Sequence, residues 1–103
     1  MKRNEKNPSY LYCTAIIRAT EGTDYEIVKN ELLELEEKTN QETGCIQFFI
    51  SPLNPEEKKF ALWEIWEDDE AFYEHHKKIY TQELFAKKIT EIILFESSRK
   101  VDL

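Results

Sequence analysis

The chain has 103 residues, 41% of them apolar and 13% aromatic, which suits one domain with a single core and excludes a disordered polymer. Fourteen Lys and Arg against 21 Asp and Glu give a net charge of −7, and with no basic cluster to offset it nucleic-acid binding is excluded. Only two glycines occur, too few for a Gly-rich phosphate loop, and no apolar run is long enough to span a membrane.

Residues 1–9, MKRNEKNPS, are polar and lack the apolar stretch of a signal peptide. They are expected to form a disordered N-terminal segment before a domain over 10–103, in a cytoplasmic protein. Residues 10–19, YLYCTAIIRA, are rich in aromatic and β-branched types and read as the first strand. After the break at Glu21 and Gly22, Thr23 and Glu26 fit a capping box. The helix they open carries Tyr25, Val28, Leu32 and Leu35 on one stripe.

Thr43 and Gly44 mark the next boundary. Residues 45–51 read as a strand with Ile46, Phe48 and Ile50 on one face and Phe49 on the other. The segment SPLNPEEKK, with two prolines and an Asn, is a turn, and residues 60–67 form a third strand paired antiparallel to the second. Asp68 caps a second helix on which Phe72, His75, His76 and Ile79 follow the i, i+3, i+4, i+7 spacing. A further helical stretch starts at Thr81 with Leu84, Phe85 and Ile89, and residues 91–101 read as the last strand.

The order βαββαβ predicts an α+β, ferredoxin-like antiparallel sheet with two helical regions on one face. Phe49, Trp63 and Ile65 make the second face apolar too, so a second copy is expected to cover it and form a homodimer. Cys13 and Cys45 have neither redox nor metal spacing and read as buried thiols. Adjacent His75 and His76 point about 100° apart on a helix, so no metal site is expected.

Two residues break the apolar pattern. Glu64 shares a strand face with Phe60, Leu62 and Trp66, and His75 lies on the buried helix stripe. Together they could form a proton-transfer pocket, or a structural hydrogen bond. His76 reads as a solvated neighbour, and whether His75 or His76 faces the pocket stays open.

The run Glu42-Thr43-Gly44-Cys45-Ile46, then Leu62-Trp63-Glu64-Ile65-Trp66-Glu67, then Ala71-Phe72 and His75, resembles the antibiotic biosynthesis monooxygenase domain, a family of dimeric α+β barrels. The resemblance spans roughly residues 10 to 100. It implies a pocket between sheet and helices, with Glu64, Trp66 and His75 matching the family's recurring residues. Members oxidise polyketides or quinols with oxygen and no cofactor, some degrade haem, and one branch isomerises a phosphorylated sugar. The first-strand Asn of haem-degrading members is absent, with Ala15 about where it is expected, and His75 replaces that branch's helical Trp. The pocket cations of the sugar-phosphate branch are not identifiable.

The resemblance therefore implies a cofactor-independent monooxygenase acting on a small aromatic or quinol. His75 would be the proton acceptor and Glu64 its carboxylate partner. Trp66, Phe48 and Phe72 would wall the slot, and Tyr73 or Tyr12 would hydrogen-bond a ring oxygen. A non-catalytic small-molecule-binding dimer and an isomerase of a small carbonyl compound remain as alternatives using the same pocket.

Overall fold

The computed structural model describes residues 10–99. The N-terminal segment 1–9 and the expected end of the last strand lie outside them. The elements are β1 (Leu11–Ala19), α1 (Tyr25–Thr39), β2 (Cys45–Pro52), β3 (Lys59–Trp66), α2 (Asp69–Lys77), α3 (Ile79–Ala86) and β4 (Thr90–Arg99). The four strands form one antiparallel sheet in the order β2-β3-β1-β4. The ferredoxin-like expectation is met, with the second helical region split in two.

Cross-strand pairing shows what each sheet face carries, because paired residues point the same way. One face holds the rows Phe48–Glu64–Cys13–Ser97, Ile50–Leu62–Ala15–Phe95 and Pro52–Phe60–Ile17–Ile92. Helix α1 packs Val28, Leu32 and Leu35 onto this side, and Tyr25 stacks on Phe60 at 5.1 Å between ring centroids. The other face carries Phe49, Trp63 and Thr14 in one row and Ile65 and Tyr12 in another. Phe49 and Trp63 are about half exposed there.

Three local expectations need correction. The register slips between Cys45 and Gln47, which makes Ile46 the extra residue of a bulge and leaves it exposed, apart from buried Phe48 and Ile50. The Thr23 hydroxyl bonds the Thr20 hydroxyl at 2.8 Å, so the α1 cap falls to Asp24 without a side-chain bond. The backbone turns extended at Lys78 (ψ 139°), so Ile79 opens α3 rather than continuing the α2 stripe, and is exposed.

Among the described residues both outer strands have an edge with no strand beside it, but the two are treated differently. On β2, Asn40 accepts from the Phe48 N–H at 3.1 Å and donates to the Phe48 carbonyl at 2.7 Å. Glu36 accepts from the Ile50 N–H at 2.6 Å. Side chains from the end of α1 thus occupy the hydrogen bonds that another strand would use. The edge of β4 carries no such side-chain bonds among the described residues.

Gly44 fixes where the α1–β2 turn meets α2. A Cβ built on it would lie 2.2 Å from Ala71 Cβ, and its carbonyl accepts the Glu67 N–H at 2.9 Å. Ala71 has no rotamer to give way, so a side chain here must displace the helix. Gly44→Ala is expected to cost about 1–3 kcal/mol by urea unfolding, with part of the loss recovered by adding Ala71→Gly. An unchanged unfolding midpoint in Gly44→Ala would refute the close approach.

Candidate active site

Helix α2 starts where the sequence places it, with Asp68 accepting from the Ala71 N–H at 2.8 Å. That phase carries His75 inward, 4% exposed, with its ring centroid 4.9 Å from Trp66 and 5.5 Å from Phe48. Trp66 is fully buried and backs the imidazole.

The expected Glu64–His75 pair is not formed. His75 Nδ1 lies 2.9 Å from Glu42 Oε2, and both side chains are more than nine-tenths buried. Glu42 comes from the turn that Gly44 seats against α2, where its N–H bonds the Thr39 carbonyl at 3.0 Å. The Tyr80 hydroxyl donates to the same Glu42 oxygen. Glu64 instead accepts from Trp66 Nε1 at 2.8 Å, since residues two apart on a strand share a face.

An ionised carboxylate only accepts hydrogen bonds. Nδ1 of His75 therefore carries the proton, and Nε2 of the neutral ring is the free acceptor. His75, Glu64, Phe48 and Phe72 all line a cavity of about 70 Å3 between sheet and helices, closed on other sides by Leu62, Thr81 and Leu84. Nε2 has no hydrogen bond among the described residues. Burial pushes the His75 pKa below its ordinary value, opposed by the Glu42 carboxylate. Burial pushes the Glu64 carboxyl above its ordinary value, opposed by the Trp66 bond and nearby His76.

The cavity mouth opens beside β4, where Ile92 and Phe95 point to the helix side yet remain exposed. His76 lines this mouth as well. It is exposed, donates Nδ1–H to the Phe72 carbonyl at 2.8 Å, and packs against the Phe72 ring at 4.5 Å. Both histidines thus line the cavity, one inside and one at the rim. The 70 Å3 interior is about half the roughly 150 Å3 of a cavity that holds benzene. A ring must therefore also occupy the mouth.

Of the remaining expected site residues, Tyr73 is 62% exposed and lines an outer groove with Asp69 and Arg99. Tyr12 lies on the opposite sheet face, beside Ile65 and Trp63. Neither reaches this cavity. Glu42, Tyr80 and Thr81 went unassigned in the sequence. Glu42 stands in the ETGCI run, but nothing in the periodicity joins it to a histidine 33 residues on. Cys13 and Cys45 are unpaired thiols with pKa values pushed up to about 12, chiefly by burial.

The family model described as antibiotic biosynthesis monooxygenase matches residues 11–87. Uncharacterized protein YjcS of Bacillus subtilis (strain 168) is 41% identical over 84 residues, which are 82% of this chain and 80% of that protein. The solved structure of protein YjcS aligns at TM-score 0.83 and 38% identity, covering 91% of this chain and 100% of that one. A conserved Bacteroides thetaiotaomicron VPI-5482 protein shares the fold at TM-score 0.77 and 20% identity, over 90% of this chain and 99% of its own. So does a solved antibiotic biosynthesis monooxygenase, at TM-score 0.72 and 20% identity, over 90% of this chain and 98% of its own.

The buried acid gives a stability test. With its folded pKa raised above the ordinary 4.5, Glu64 holds a proton that the unfolded chain releases. Its contribution is full below 4.5 and is lost as pH rises through the folded value. Glu64→Gln keeps an acceptor for Trp66 and removes the titration. Its urea midpoint is expected above wild type at pH 7 and equal to it near pH 4. Parallel midpoints at both pH values would show that burial does not perturb Glu64.

Proposed function

The chain belongs to the antibiotic biosynthesis monooxygenase family, and on that premise we propose that it is a cofactor-independent monooxygenase of small aromatic or quinol-type substrates. The supporting observation is one buried imidazole, held by Glu42 through Nδ1 and lining an apolar cavity. Ground-state oxygen reacts slowly with closed-shell molecules, so the protein's task is to make the substrate an electron-rich anion. His75 Nε2 takes a proton from an activated ring CH2 or hydroxyl, and Glu42 stabilises the imidazolium.

For a CH2 substrate the reaction balances without an outside reductant. The carbanion passes one electron to oxygen, and the two radicals combine into a C–O bond. His75 returns its proton to the peroxide. The remaining C–H proton is then removed as the O–O bond breaks, hydroxide leaves and takes up that proton as water, and a carbonyl stays behind. Phe48, Leu62 and Phe72 exclude water from the anion, and Glu64 is the second polar group available to a substrate oxygen.

The same reading includes a homodimer through the open sheet face. Phe49, Trp63 and Leu94 are 52%, 46% and 41% exposed, and burying such a patch against a second copy removes a surface that water disfavours.

Oxygen uptake with quinols and anthrone-like phenols is the test of the chemistry. His75→Ala is expected to lower turnover at least about 100-fold, and Glu42→Gln to lower it less. Because the His75 pKa is depressed below 6.5, wild-type kcat/KM should rise with pH through that lowered value and be level by neutrality. Uptake equal in wild type and His75→Ala would remove His75 from the mechanism, and turnover without oxygen would favour the isomerase. Sedimentation is expected to give a dimer that Trp63→Glu converts to monomer. A wild-type monomer would sink the interface.

A further inference from the structure

Glu42 Oε2 receives two donors, His75 Nδ1 from α2 and the Tyr80 hydroxyl from α3. Tyr80 reaches it because the backbone breaks at Lys78 and turns α3 back toward the α1–β2 turn. The phenol is half-buried and sits on the side of Glu42 away from the cavity, lining an outer groove with Lys38, Gln41 and Thr43. Lys38 Nζ lies 5.7 Å from the centre of its ring.

We propose that Tyr80 is a positioning residue that sets the basicity of His75 by sharing the Glu42 carboxylate. The inference rests on the reading of His75 as proton acceptor. A carboxylate oxygen that accepts from two donors gives less of its charge to either. With the Tyr80 bond in place, the imidazolium is stabilised less, and Nε2 stays unprotonated at lower pH. The phenol also keeps water from competing for Glu42 on the outer side.

The charged and titratable groups around His75 come from several elements. Glu42 raises its proton affinity, while His76 and Lys78 lower it. Glu64 lines the same cavity, and Lys38 lies against the Tyr80 ring. Tyr80 stays protonated throughout the working range, since burial and Glu42 both push its pKa up.

NMR titration of the imidazole protons tests this without any substrate. Tyr80→Phe is expected to raise the His75 pKa by about half a pH unit or more, and the rise should vanish in a Glu42→Gln background. Difluorotyrosine at position 80, a stronger donor, should move it the other way. An unchanged His75 titration in Tyr80→Phe, or an equal rise with and without Glu42, would overturn the proposal. Failure here leaves the monooxygenase reading intact, and a protein inert toward oxygen leaves this coupling intact.

Discussion

The Gly44 backbone and the Ala71 methyl occupy space that no side chain at position 44 could share. That contact closes the gap between the end of α1 and the start of α2, and everything chemical in the molecule depends on it. It sets the turn carrying Glu42 against the helix carrying His75, whose register is already fixed by the Asp68 cap. The third participant, Tyr80, arrives through the break at Lys78. Three elements separated in sequence therefore meet at one carboxylate oxygen.

Glu64 and His75 both line this apolar cavity, and burial drives them in opposite directions. Glu64 is pushed toward its neutral acid and His75 toward its neutral base. Each carries one oriented hydrogen bond, from Trp66 in one case and with Glu42 in the other, which fixes geometry without neutralising the desolvation. A carboxyl with a raised pKa and an imidazole with a lowered one, facing one cavity, are brought closer in proton affinity than they are in water. The cost falls on folding, since neither group stabilises the core as an apolar side chain of its size would.

Much of the fold was legible because it follows from periodicity. The alternation in β1 and β3, the α1 stripe and the Asp68 cap depend on neighbours in sequence, and each is observed. The misses arose where a nonlocal or backbone event intervened. Ile79 kept the helical spacing, but the chain breaks one residue earlier. Ile46 kept the strand alternation, but a bulge turned it outward. In the site, His75, Glu64, Phe48 and Phe72 were legible as inward-facing residues. The bond to Glu42 was not, since it joins a turn to a helix through a contact that only the glycine permits. Tyr12 and Tyr73 were drawn in by chemical type alone, and the faces they occupy exclude them.

The side chains of Asn40 and Glu36 on β2 bear on how copies of this chain can accumulate. In a polymer chemist's terms, a sheet with two open edges is a bifunctional monomer, and one with a single open edge is a chain stopper. Here the side chains of Asn40 and Glu36 already occupy both backbone groups of Phe48 and the N–H of Ile50, so edge-to-edge pairing is left chiefly to β4. Pairing through β4 edges alone would end at two molecules. A ten-residue β4 with the apolar run Ile92–Phe95 is therefore better tolerated on this fold than on a sheet with both edges free.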